Sequence, residues 1–232
     1  MPAPGYPDFE RGHFYPIGAL REAEANLLSM RKADRQLSAM WRAPTGEHAR
    51  SINLRNTELY PLKAFADHKG FSDAIRFRLS QAGDAADAQI ELSSGLLNLQ
   101  ITVANLDWDG DEPSNPGFQH RLEMEALNST DMLSGHGPFH RTFDGRILGQ
   151  ESVYSDQDRL DACRRGLQKA LQRKATHDGR GLDLLIYTRA FYIQTIDSEY
   201  ELVARSMIER HGRPKFDHVH IFDEPQGCYV EL

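Results

Sequence analysis

The sequence predicts an α/β fold: a mixed central sheet that contains an antiparallel hairpin and is flanked by helices on both faces. Three stretches carry that expectation. Residues 87–103 alternate polar and apolar side chains on either side of Ser93-Ser94-Gly95, the pattern of two half-buried strands joined by a turn. Residues 182–187, LDLLIY, form a near-continuous apolar run after Gly179 and Gly181, which suits a strand covered on both faces. Residues 156–177 set Leu160, Cys163, Leu167, Ala170 and Leu171 at helical spacing, the stripe by which a helix packs on a sheet.

The remaining elements follow in chain order. The first eighteen residues hold four of the eleven prolines and read as a tail or an irregular strap. Residues 19–41 are rich in helix formers, with Leu20, Ala23, Leu27, Met30, Leu37 and Met40 at roughly helical spacing; one long helix is expected, with a break near Ala33-Asp34 and an end at Pro44-Thr45-Gly46. Asn56-Thr57-Glu58 offers N-cap residues to a helix over 59–68, with Pro61 in its first turn and Gly70 past its end. Residues 72–79 read as an edge strand leading into the hairpin. Pairing Leu92 with Leu97 sets Asp87 across from Thr102 and Gln89 across from Gln100, so that both polar rows share one sheet face. Residues 105–118 form an acidic, turn-rich loop whose Asp107, Asp109 and Asp111 look like the start of a calcium loop, although the glycine is misplaced and no glutamate stands at the twelfth position. A short helix over 121–127 and a Gly-rich loop over 134–146 precede the long helix. After the 182–187 strand, residues 198–211 form an amphipathic helix with a Ser198/Glu201 capping box, 216–222 a further strand and 228–232 a last edge strand. No internal repeat or low-complexity tract interrupts the order. Residues 1–45 are expected to form a tail and helix, and 46–232 the α/β domain, together one globular unit.

Composition narrows the function classes. A chain of 232 residues with 40% hydrophobic content buries a sizeable core. No run approaches the apolar length needed to cross a bilayer, and the first fourteen residues lack the basic-then-apolar layout of a secretory signal, so a soluble, cytoplasmic protein with no membrane partner is expected. Two cysteines, Cys163 and Cys228, are too few for a disulfide framework or a tetrathiolate zinc site and read as free thiols. A net charge of -7 argues against a generic nucleic-acid coat but leaves room for a local basic track, which Arg164, Arg165, Lys169 and Arg173 on the outer face of the long helix supply. A Walker loop, a GxGxxG turn and a GxSxG elbow are all missing from the sequence, so it lends nucleotide hydrolysis, Rossmann cofactor binding and serine hydrolysis no support.

Chemistry enters with the acids of the hairpin. Phosphodiester hydrolysis at neutral pH needs charge stabilisation on the phosphoryl oxygens and an activated water, and a carboxylate-held magnesium ion supplies both. Magnesium takes oxygen ligands and keeps several waters, so Asp87 with Gln100 and Glu91 on one sheet face meets the need. The same row has a plainer reading, a solvated face of a half-exposed hairpin. His218 and His220 form a second constellation, two imidazoles on one strand face as zinc sites use, and His136 and His140 stand four apart beside Gly137 and Pro138.

Residues DAQIEL, Gln100-Ile101-Thr102 and NTELYP together resemble the core of the PD-(D/E)XK, or restriction-endonuclease-like, superfamily. That family sets an acid on one strand of a hairpin, and an acid or glutamine two residues before a lysine on the next; a preceding helix often adds a glutamate. The resemblance implies Asp87 as the first acid, Gln100 as the second motif residue and Glu58 as the helix glutamate, with magnesium or manganese held by Glu58, Asp87 and Glu91. Thr102 departs from the pattern by standing where the lysine is expected. Some relatives recruit that lysine from the neighbouring helix, which points to Lys174, and after it Lys169. The implied activity is metal-dependent hydrolysis of nucleic acid, DNA or RNA, with Asp87, Gln100 and Lys174 catalytic and a homodimer compatible with cutting two strands. The alternative is a catalytically inactive binding or regulatory domain on the same fold.

Overall fold

The computed structural model describes residues 3–34, 36–37, 48–104, 156–175, 177–188, 205–206, 208–210, 215–223 and 228–232. Seven strands form one sheet in sequence order: β1 (Tyr15–Pro16), β2 (Arg76–Leu79), β3 (Ala88–Leu92), β4 (Gly95–Ala104), β5 (Gly179–Thr188), β6 (Phe216–Asp223) and β7 (Cys228–Glu231). β1 to β4 run antiparallel to one another, β4, β5 and β6 are parallel, and β7 returns antiparallel. Parallel pairing of β4 and β5 requires a crossover, and α4 (Asp156–Ala175) lies between them in the chain.

Side-chain alternation on β5 divides the core in two. Leu185 and Tyr187 join a cluster with α1 (Ile17–Ala33), α2 (Ala49–Leu54) and α3 (Tyr60–His68), while Leu182, Leu184 and Ile186 join Leu167, Ala170 and Leu171 of α4. Helices therefore cover both faces, which is why 182–187 is apolar without alternation. Each fully buried Leu or Ile contributes about 1.5–3 kcal/mol through its removal from water.

The N-terminal segment is a packed strap. Ala3, Tyr6 and Phe9 are buried in the first cluster, and Tyr15–Pro16 pairs with β2, so residues 72–79 are not the sheet edge. Residues of the strap and α1 share one core with α2, α3 and the sheet. Helix α1 ends at Ala33, where the Asp34 carboxylate accepts from the Gln36 and Leu37 N–H groups.

Asn56-Thr57-Glu58 does not cap a helix. It lies inside a continuous one, where a π turn (Arg55–Leu59) joins α2 to α3 and the Tyr60 N–H reaches back to the Arg55 carbonyl. Pro61 explains the irregularity: its ring crowds the carbonyl four residues back, and a widened turn ahead of it relieves the crowding. The hairpin register also differs from expectation by two residues. Leu92 pairs with Gly95, Ile90 with Leu97 and Gln89 with Asn98. Ser93-Ser94 alone makes the turn, and Gly95 at φ 133° supplies a backbone conformation closed to most side chains.

The calcium-like loop at 107–111, the elements expected over 121–127 and 134–146, His136 and His140, and the Ser198/Glu201 box lie outside the described residues. Among the described residues no helix is long and apolar enough to cross a membrane.

Candidate active site

Asp87 sits immediately before β3, where regular pairing with β4 stops. Its N–H donates to the Leu99 carbonyl at 2.8 Å and its Oδ2 accepts the Ile101 N–H at 2.8 Å, so the residue brackets Gln100 from both sides. The carboxylate takes over a strand donor that β3 no longer satisfies. Oδ1 accepts no hydrogen bond among the described residues.

Gln100 and Thr102 are buried on the side of β4 that faces α4. Lys174, in the last turn of α4, extends its ammonium to Gln100 Oε1 at 2.5 Å. Burial pushes the Lys174 pKa down and the neighbouring Arg173 charge adds to the shift, while Asp87 opposes it. A strand glutamine, an acid and a helix lysine thus meet from three elements. The basic residues of this helix otherwise read as an outer face, to which Lys174 also belongs by composition. Lys174 instead continues the buried stripe of Leu167, Ala170 and Leu171, at the i, i+3, i+4, i+7 spacing legible in the sequence.

Glu58 approaches from the π turn. Burial raises its pKa, the Arg11 hydrogen bond lowers it, and the Asp87 charge adds to the rise, which places the two carboxylates in one electrostatic neighbourhood. Both Glu58 oxygens accept from Arg11 Nη2, at 2.7 and 3.0 Å, and Arg11 Nη1 donates to the Ser80 carbonyl at 2.9 Å. The Ser80 N–H in turn donates to the Asp87 carbonyl. Arg11 is therefore a site residue that sequence reasoning missed; it lies 47 positions from its partner in a segment with no periodicity.

Glu91 does not join this group. It stands four residues further along the strand, roughly 13 Å at 3.3 Å per residue, and pairs with Arg76 at 2.6 Å. The polar row between is a ladder: Arg78 donates to Gln89, Gln89 to Asn98 and Asn98 to the Gly181 carbonyl. On α4, Arg164 and Arg165 are half-buried, Lys169 and Arg173 are exposed, and Arg173 donates to the Val103 carbonyl at 3.2 Å.

Of the oxygens expected to hold magnesium, Asp87 Oδ1 has no hydrogen-bond partner among the described residues, whereas Gln100 Oε1 accepts from the Lys174 ammonium. Glu58 is committed to Arg11 and Glu91 to Arg76. Among the described residues no three His, Cys, Asp or Glu side chains cluster as ligands. His218 and His220 do share a strand face, with rings 6.1 Å apart. Both nitrogens of His220 have protein partners, Asp183 at 3.1 Å and the Tyr229 hydroxyl at 2.6 Å, and burial lowers its pKa. This imidazole is a buried polar link between β5, β6 and β7.

Compared with known proteins, the chain matches no family model, no characterised protein and no solved structure.

Proposed function

We propose that this protein is a metal-dependent nuclease, hydrolysing phosphodiester bonds of nucleic acid at Asp87, Gln100 and Lys174. One observation carries the reading: Lys174 of the crossover helix reaches Gln100 on β4, beside Asp87, which compensates for Thr102 at the position where the restriction-endonuclease-like pattern has its lysine. The order of a helix, a hairpin, a crossover helix and a parallel strand is in keeping with the same likeness.

When bound, magnesium or manganese would neutralise charge on the phosphoryl oxygens and lower the pKa of a bound water. Asp87 would hold it through its open oxygen with water completing the shell, and Gln100 would orient the Lys174 ammonium beside it. The half-buried Lys174 ammonium, held by Gln100, would donate to a phosphoryl oxygen or orient the attacking water. Glu58 keeps the Arg11 guanidinium against the same site.

A second reading, a binding or regulatory domain without turnover, draws on two features, Thr102 at the motif position and the Arg11 cation engaging both Glu58 oxygens. Incubating the purified protein with single- and double-stranded DNA and RNA, in magnesium, manganese or chelator, separates the two. The nuclease reading expects metal-dependent products that disappear in Gln100→Ala. Folded protein that binds but never cuts, whatever the metal, favours the second.

A further inference from the structure

A cavity of about 650 Å3 opens between the N-terminal strap and the α2–π-turn helix, and Glu58 forms part of its wall. Its volume lies in the range of roughly 300–1,000 Å3 typical of small-molecule sites. Two guanidinium groups line it, Arg11 and Arg50. Arg11 is oriented by Glu58 and the Ser80 carbonyl, and Arg50 is exposed with no hydrogen bond or ion pair among the described residues. Asp8, Phe9, Glu10 and Asn53 also line it.

We infer that this cavity is a subsite for one nucleotide of a single-stranded substrate, with Arg11 and Arg50 on its phosphate and Asp8 and Asn53 on its base edge. The inference rests on the nuclease reading and names the substrate class of the same site. The argument is one of chemistry and continuity. A purely anionic ligand would be repelled by Asp8 and Glu10, whereas a base presents N–H donors to a carboxylate and a phosphate presents oxygens to a guanidinium. Phe9 gives the wall an apolar component. Glu58 lines the cavity and holds Arg11, Arg11 donates to the Ser80 carbonyl and the Ser80 N–H donates to the Asp87 carbonyl, so the cavity connects to the residue proposed to hold the metal through a short hydrogen-bonded chain. A base in a duplex must leave its stack to enter a walled cavity; a single strand presents it already unstacked. The phosphate track thus runs along the strap side, not along the outer face of α4.

The test is fluorescence anisotropy of a short oligothymidylate in EDTA, which reads binding without turnover, beside a duplex of equal length and thymidine monophosphate as competitor. Arg50→Gln, an exposed change, is expected to weaken oligothymidylate binding about tenfold and to flatten the salt dependence by roughly 0.7 in log–log slope; Asn53→Leu is expected to weaken it as well, and the duplex to bind less tightly than the single strand. Preferential duplex binding, binding lost in Arg173→Gln but kept in Arg50→Gln, or thymidine monophosphate binding without oligonucleotide binding would each overturn the inference. Cleavage assays keep the two proposals apart. Cutting that proceeds at the parent rate in Arg50→Gln overturns the subsite and leaves the nuclease standing. Arg50-dependent binding by a protein that never cuts supports the subsite and removes the nuclease.

Discussion

Glu24 and Arg55 form a buried ion pair whose removal has a calculable consequence. The side chains are 7% and 11% exposed; Arg55 Nε donates to Glu24 Oε1 at 2.9 Å and Nη2 donates to Oε2. The Tyr6 hydroxyl donates to Oε1 at 2.7 Å, Arg55 Nη1 donates to Asn56 Oδ1, and the guanidinium lies 4.2 Å from the Tyr60 ring centre. Glu24→Ala leaves a buried cation with only neutral neighbours, the Asn56 amide, the Tyr6 hydroxyl and the Tyr60 ring, a situation that costs about 3–5 kcal/mol. Domains of this kind are stable by about 5–15 kcal/mol, so the variant is expected to lose a large part of its stability. Replacing both partners by methionine removes the stranded charge, and the Glu24→Met, Arg55→Met double variant is expected within about 2 kcal/mol of the parent. Urea unfolding followed by circular dichroism, on the parent, both methionine single variants and the double, gives the coupling energy, expected above about 2 kcal/mol. A Glu24→Ala loss below about 1 kcal/mol, or additive single variants, would refute the claim that this pair is desolvated and anchors the π turn to α1.

Three further outcomes are expected. Gly179→Ala should destabilise by about 1–3 kcal/mol, because a Cβ there would meet the Phe216 ring at 2.5 Å and the Lys215 carbonyl at 2.7 Å; thermal unfolding checks it. Lys69 and the Tyr229 hydroxyl pull the Glu231 pKa from 4.5 down to about 2. Its folded value lies below its unfolded one, so its contribution is present above pH 4.5 and lost as pH falls towards 2; in Glu231→Gln the acid limb of the stability profile should flatten in that window. The effect is under about 1 kcal/mol, because the group is half-exposed. For Lys174, the folded pKa lies below the unfolded one, so its ammonium opposes folding at neutral pH. Lys174→Met should therefore unfold within about 1 kcal/mol of the parent or later, while cleavage is lost; equal activity with unchanged stability would remove Lys174 from the site.

Much of the architecture was legible because burial writes itself into periodicity. The near-continuous apolar run of β5, interrupted by Asp183, marks a strand covered twice, and the helical stripe of Leu167, Ala170 and Leu171 marks the face of α4 on the sheet. The strap was not legible, since Ala3, Tyr6 and Phe9 are buried without any regular spacing. Nor was the π turn: Asn56-Thr57-Glu58 before Pro61 carries the composition of a helix start, and only packing makes it an interior. Hairpin register slipped by two because faces alternate with period two, so the polar pattern fits either pairing and the turn length decides. At the candidate site, Lys174 meets Gln100 beside Asp87, and Glu58 is held by Arg11. Arg11 did not announce itself, because a tertiary ion pair between a turn and a distant helix leaves no local signature. Glu91 shared the right strand face and stood too far along it.

The most direct test of the proposed site is the single-turnover cleavage rate of Asp87→Asn beside the parent, in magnesium. Asparagine keeps an oxygen to accept the Ile101 N–H, so the fold is expected to hold while the charge is lost. The account predicts a rate at least about a thousandfold lower, equivalent to about 4 kcal/mol, with the unfolding midpoint little changed. Metal-dependent cleavage at the parent rate in folded Asp87→Asn would contradict it.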